Sequence, residues 1–152
     1  MEPEDIAGAL AEVAGVVVRS LVDRRGMSFT TASTLGRLER EGPVRLTLLA
    51  AAEGVAQPSM TQLVHRLENQ GLATRVSDPD DGRVALVAIT DAGREVLAER
   101  RRERDARLAR LLATLSEDER RTLGSAMRTA LPLVLRMAEE SARPGRLQRG
   151  TA

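Results

Sequence analysis

The clearest hydrophobic pattern in the chain lies at residues 57–71. Four apolar side chains recur there at i, i+3, i+4 and i+7, the spacing of one helix face: Met60, Leu63, Val64 and Leu67. Pro58 suits the first helical turn, where its missing N–H costs no hydrogen bond. Gly71 suits the left-handed residue that commonly ends a helix. We therefore predict a helix that begins near residue 57 and ends at Gly71.

The opposite face of this predicted helix is polar. It carries hydrogen-bonding side chains of moderate length: Ser59, Thr61, Gln62, His65, Arg66 and Asn69. A merely solvated helix face needs only charge, whereas groups of these types engage base edges and phosphates. The pattern favours a helix that contacts nucleic acid over one that is only exposed.

The segments around this helix predict a winged helix-turn-helix. A short helix at residues 48–53, with Thr47 as its N-cap, ends at Gly54 and is joined to the polar-faced helix by a tight turn. Two β-prone runs follow at residues 72–77 and 84–89, and the turn formers of residues 78–83 lie between them. We predict that they form a hairpin.

The flanking segments predict further helices. Residues 6–23 have an amphipathic stripe, and residues 29–41 form a second helix with Thr30 as its N-cap. Residues 44–46 are expected to form a short strand that pairs with the hairpin.

A long helix is predicted at residues 91–115, capped by Thr90. Its charge run at residues 99–107 is expected to be exposed and self-paired, because Arg101 with Asp105 and Glu103 with Arg107 stand at i, i+4. The final helix starts at a capping box, residues 116–119, and we expect Pro132 to kink or divide it.

The predicted fold is mainly α with a small β-hairpin wing. We divide it into an N-terminal dimerisation helix (1–27), a winged helix-turn-helix lobe (28–90), C-terminal dimerisation helices (91–142) and a flexible tail (143–152). The terminal helices carry apolar stripes that the compact lobe does not cover. Two copies that pack through these stripes would form a symmetric homodimer.

Composition excludes several function classes. The chain has no Cys, which rules out disulfides and thiolate metal sites, and its single His argues against a histidine metal site. With no phosphate-cradling Gly loop, we recognise no catalytic constellation and predict that the protein is not an enzyme. One aromatic residue, Phe29, is too few to stack single-stranded bases. No membrane span or signal peptide is visible, so we expect a cytoplasmic protein. We also expect no cofactor.

The charge balance does not by itself indicate a nucleic-acid partner, because the net charge is only +1. A DNA-binding hypothesis must depend on where Arg66, Arg75 and Arg83 are placed. The acidic wing tip leaves a second hypothesis open. In this alternative the chain is a protein-interaction module on a winged-helix scaffold, without specific DNA binding.

Roughly from Ser28 to Gly93 the sequence resembles the MarR family of bacterial transcription regulators, and the flanking helices match only in length and pattern. The resemblance is carried by residues 58–72, by Arg75, by the wing stretch 78–83, by Leu86 and Val87, and by the helix start 90–93. It implies an obligate dimer whose recognition helices enter successive major grooves of double-stranded DNA, roughly 34–36 Å apart. It also implies a transcriptional repressor that binds a pseudo-palindromic operator.

The resemblance assigns roles to individual residues. Arg83 falls where the family's wing arginine reaches a minor groove, and Asp81 where a carboxylate orients it. Asp80 replaces a residue that is often basic in the family. The candidate contacts are Pro58, Ser59, Thr61, Gln62, His65 and Arg66 on the recognition helix, and Arg75, Asp81, Gly82 and Arg83 on the wing. The family also implies a small aromatic or phenolic ligand, and the absence of Cys excludes its oxidation-sensing branch.

Overall fold

The computed structural model describes residues 1–21 and 27–141, and these residues form six helices and a three-stranded antiparallel sheet. This confirms the predicted fold class. The elements in chain order are α1 (Pro3–Leu21), α2 (Phe29–Glu41), β1 (Val44–Arg45), α3 (Leu46–Glu53), α4 (Gln57–Asn69), β2 (Ala73–Ser77), β3 (Ala85–Ile89), α5 (Asp91–Leu112) and α6 (Glu117–Ser141). The described residues divide into two compact units, one within residues 1–107 and one within residues 108–141.

The first unit contains an apolar core built from α2, α3, α4 and the sheet. Its largest fully buried side chains are Leu35, Leu38, Leu49, Met60, Leu67, Val64 and Val87. Each buried aliphatic side chain of this size contributes about 1.5–3 kcal/mol, so the core fixes how α4 is rotated about its axis. Aliphatic residues fill this core, as the near absence of aromatic residues requires.

The sheet has the strand order β1-β3-β2. Val44 of β1 and Arg75 of β2 both pair with Val87 of the central strand. The predicted pairing of residues 44–46 with the hairpin is thus confirmed for Val44 and Arg45. Leu46 instead begins α3, because the chain passes from strand to helix without an intervening loop.

Two predicted caps are wrong. The N-cap of α2 is Ser28 rather than Thr30, since the Ser28 hydroxyl accepts a hydrogen bond from the Thr31 amide at 3.2 Å. The N-cap position of α3 is Arg45 rather than Thr47, and no side chain caps that helix. Ser28 and Thr30 both suit an N-cap, and the backbone path places Ser28 before the first turn of α2. At α3 the helix follows β1 directly, so Arg45 stands at the N-cap position instead.

The long helices differ from the predictions at their ends. Helix α1 begins at Pro3, three residues before its predicted start, and is described as far as Leu21; residues 22 and 23 of the predicted helix lie outside the described residues, as does the predicted tail. Helix α5 ends at Leu112, where the amides of Thr114 and Leu115 bond carbonyls three residues back in a tightened final turn. The predicted pairing of Arg101 within the charge run is wrong: it bonds Glu39 of α2 at 2.6 Å.

The capping box of α6 is confirmed. The Glu119 amide donates to the Ser116 hydroxyl at 3.3 Å, and the Ser116 amide donates to the Glu119 carboxylate at 2.7 Å. Helix α6 continues through Pro132, so the predicted division does not occur. A proline removes one hydrogen bond from the ladder, and the turns on either side of it remain helical. No helix within residues 1–21 or 27–141 is long and apolar enough to span a membrane.

Candidate nucleic-acid interface

Helix α4 is amphipathic in the way that the spacing predicts. Met60, Val64 and Leu67 are fully buried, and Leu63 is nearly so. The six recognition-helix residues singled out in the sequence are all exposed: Pro58, Ser59, Thr61, Gln62, His65 and Arg66. The buried stripe thus presents the polar face of α4 to solvent as one continuous surface.

Internal hydrogen bonds determine what this face offers to a partner. The Thr61 hydroxyl donates to the Gln57 carbonyl at 2.9 Å, so it offers its lone pairs and its methyl group outward. His65 Nδ1 lies 3.3 Å from Asn69 Nδ2. An amide nitrogen donates, so Nδ1 accepts, and a neutral His65 ring carries its proton on Nε2.

Asn69 is a functional candidate that the sequence-based set of contacts omits. It is exposed one helical turn beyond His65 and orients that ring. Sequence alone places Asn69 on the polar face, and its i, i+4 spacing from His65 is the signal that adds it to the candidate contacts.

Arg66 differs from the other arginines of this surface. In the part of the chain that the structure describes, its guanidinium has no ion pair or hydrogen bond. It lies beside a cavity of about 330 Å³ whose other lining residues come from α4 and α2 and from positions just outside these helices: Met27, Thr31, Leu63, Leu67 and Gln70. Arg66 is thereby available both to an external anion and to a small molecule in the cavity.

The wing turn, residues 78–84, carries Arg83 at its tip. The Arg83 side chain is 90% exposed. One oxygen of Asp81 accepts from both the backbone amide and Nε of Arg83, each at 3.1 Å. This is the geometry that an orienting role for Asp81 requires. Gly82 has no positive φ, and a Cβ built there meets nothing within 4 Å, so the free chain does not need glycine at this position.

Arg75 lies at the base of the wing rather than at its tip. Its Nε donates to the Glu68 carboxylate at 2.7 Å, which ties β2 to the recognition helix. A second ion pair at the wing base joins Arg45 to Asp78 at 3.2 Å. Sequence patterns did not indicate this pair, because its partners are 33 residues apart and meet through the sheet.

Three arginines of this surface, Arg45, Arg75 and Arg83, are therefore paired with carboxylates. Exposed ion pairs are worth about 0–1 kcal/mol. An arginine that leaves its carboxylate partner to bind a DNA phosphate therefore loses little free energy. The near-neutral charge of the lobe consequently does not prevent the lobe from contacting DNA.

A short helix, a tight turn, a recognition helix with its polar face outward and an arginine-tipped hairpin together define a winged helix-turn-helix protein. The family model described as MarR family matches residues 25–84. An uncharacterized HTH-type transcriptional regulator of Mycobacterium bovis, Mb0904, is 37% identical over 115 residues, which are 76% of this chain and 78% of that protein. The chain belongs to the MarR family.

A further relative and a solved structure agree with this assignment. The HTH-type transcriptional repressor MdtR of Bacillus subtilis is 29% identical over 102 residues, 64% of this chain and 63% of MdtR. The transcriptional regulator Tm0710 of Thermotoga maritima superposes with a TM-score of 0.73 at 25% identity, over 90% of this chain and 98% of that one. The family consists of transcription regulators and not of enzymes, as the sequence predicted.

Proposed function

We propose that the protein is a homodimeric transcriptional repressor that binds a pseudo-palindromic operator in double-stranded DNA and acts in the cytoplasm. One observation carries the proposal. The core holds four apolar residues of α4 inward, and the polar residues of that helix therefore face solvent beside an arginine-tipped wing. In this proposal α4 enters the major groove, and Arg83 reaches the adjacent minor groove.

The exposed apolar residues of α1 and α6 support a dimer. On α1 they include Ile6, Val13, Val16, Val17 and Val18, and on α6 they include Leu123, Met127, Leu131, Leu133, Val134, Leu135 and Met137. Exposed apolar surface of this extent marks an interaction site, and a second copy of the chain covers it by symmetry. Sedimentation of the protein at twice 16.4 kDa is the expected result.

The repressor role and the ligand are the finer parts of the proposal. MdtR, which is similar over about two thirds of this chain, is named as a repressor. The cavity beside Arg66 is lined by three apolar residues, two uncharged polar residues and one cation. This lining suits a small aromatic or phenolic acid, whose apolar body would contact Met27 and Leu63 while its charge faces Arg66. Such a ligand would withdraw Arg66 from DNA and release the operator.

Selection of bound duplexes from a random pool tests the central proposal. We expect a two-fold symmetric motif whose half-sites are about 34–36 Å apart. Its affinity should fall steeply with salt, because neutralised phosphates release counterions. A protein that enriches no duplex at moderate salt, and that co-purifies with a stable protein partner, would support the interaction-module alternative instead.

Arg83→Ala is expected to weaken binding by a similar factor for all duplexes, about three- to tenfold, because the wing arginine contacts the backbone and minor groove rather than distinguishing bases. Fluorescence anisotropy with the selected duplex and with a scrambled duplex measures this effect. Arg94→Ala is the matched control, since Arg94 is also exposed and also paired with a nearby aspartate, at the start of α5. Equal affinities of the Arg83 variant and the wild-type protein would refute the wing contact.

A further inference from the structure

Arg45 lies on β1, the edge strand opposite β2, and its side chain reaches across the sheet to the wing. It pairs with Leu86 of the central strand, and Leu86 pairs with Val76 of β2. Directly paired residues share a face of the sheet, and so do residues two apart along one strand. Asp78, two residues beyond Val76, therefore continues the row that begins at Arg45. The Arg45 Nη2 atom completes it by donating to Asp78 Oδ2 at 3.2 Å.

Asp78 joins this row to the wing turn. Its other carboxylate oxygen, Oδ1, accepts from the Asp80 amide at 2.9 Å, and its own amide donates to the Val84 carbonyl at 3.0 Å. The Asp78 side chain is only 10% exposed. The Asp80 amide, and then Arg45, lower the pKa of Asp78 against the opposing effect of burial, so the carboxylate is charged at neutral pH.

We infer that Arg45 is a positioning residue for the wing. Acting through Asp78, it holds the 78–84 turn in the conformation that presents Arg83 to DNA. The inference rests on the proposed contact between the wing and DNA. It assigns a DNA-binding role to β1, which lies outside both the recognition helix and the hairpin. Arg45 is itself 51% exposed, so the competing explanation is a direct contact with a phosphate.

A double-mutant cycle separates the two explanations. Arg45→Ala is expected to weaken binding of the selected duplex about two- to fivefold, the range of one exposed ion pair. If Arg45 acts through Asp78, the same substitution has no further effect in an Asp78→Ala background or in an Arg83→Ala background. A phosphate contact would instead persist in both backgrounds, and Arg45→Ala would lower the salt dependence by about one released counterion. That result would overturn the inference.

Amide hydrogen exchange in the DNA-free protein provides a second readout. Arg45→Ala should speed exchange at the amides of Asp78, Asp80 and Val84, which belong to the braced turn. Exchange at core amides of α4 should stay unchanged, because a general loss of stability would affect those amides as well. Arg45→Lys keeps the charge and should restore most of the protection. Arg83→Ala serves as the control that leaves the turn protected.

The two readouts distinguish failure of the inference from failure of the proposed function. If Arg83→Ala binds duplex as well as the wild-type protein, the proposed contact between the wing and DNA is wrong, while the exchange data still test whether Arg45 holds the wing turn through Asp78. If the wing amides of Arg45→Ala exchange as slowly as those of the wild-type protein, Arg45 does not hold the turn, even though the protein binds its operator.

Discussion

Replacing Gly93 with alanine is expected to lower the free energy of unfolding by about 1–3 kcal/mol, the usual cost of overpacking a filled site. A Cβ built on Gly93 lies 2.3 Å from the carbonyl oxygen of Leu72 and 2.7 Å from Cγ1 of Ile89. Both distances are far inside van der Waals contact. The nearer atom belongs to the backbone, so a side-chain rotation cannot relieve the clash.

The same substitution should weaken DNA binding. Leu72 follows Gly71, the left-handed residue that ends the recognition helix. The Thr90 hydroxyl donates to the Gly71 carbonyl at 2.6 Å and accepts from the Gly93 amide at 3.1 Å, which locks the start of α5 to this helix end. A shift that accommodates the added methyl group must therefore move the end of α4 relative to the wing.

Urea unfolding followed by far-ultraviolet circular dichroism measures the stability change, with both proteins at the same concentration because a dimer's stability depends on it. Gly36→Ala is the matched control. Gly36 is also a buried helical glycine, but its Cβ would meet only the mobile end of the Arg40 side chain, at 3.2 Å. Alanine there should be neutral or stabilising by up to about 1 kcal/mol. Equal midpoints for wild type and Gly93→Ala would contradict the packing argument.

Arg66→Ala is expected to weaken binding of the selected duplex by about 1–3 kcal/mol and to change the preference at particular base pairs. Arg66 lies on the exposed face of α4 and has no carboxylate partner among the described residues. Arg66 therefore breaks no ion pair with the described residues when it contacts DNA. Its contribution should therefore exceed that of Arg75, which is already paired with Glu68.

Competition of the labelled duplex with single-base variants measures both the affinity and the preference. Arg66→Lys keeps the charge but cannot bond guanine through two parallel donors, so retained affinity with relaxed preference would identify a base contact. Arg102→Ala removes an exposed arginine of α5 that is paired with Glu99, and it controls for the loss of one charge. If Arg66→Ala and Arg102→Ala lose equally little affinity for the duplex, Arg66 does not contact DNA.

The sequence predicted the recognition helix and its polar face because the evidence for both is local. The four apolar positions of α4 and the ends at Pro58 and Gly71 lie within fifteen residues, and the structure confirms them. The capping box at Ser116 is equally local and is also confirmed. The two β-prone runs and the turn formers between them predicted the hairpin wing, and the structure has both strands. The MarR-family resemblance is confirmed by the comparisons.

Sequence reasoning failed where several local choices were comparable or where distant segments compete. Ser28 and Thr30 both suit an N-cap, and the path into α2 selects Ser28. Arg101 has a suitable partner one turn away on its own helix, yet it bonds Glu39 of α2. Surface ion pairs differ by less than about 1 kcal/mol, so tertiary proximity decides between them.

The sequence by itself determined the type and order of the elements, the direction in which α4 faces and the family, because hydrophobic spacing and short motifs carry that information within a few turns of chain. The tertiary structure alone decided which groups meet across the fold: Arg45 with Asp78, Arg75 with Glu68, and Gly93 with the Leu72 carbonyl. These contacts depend on how the sheet and helices pack against one another, and residue spacing along the chain does not encode distances of that kind.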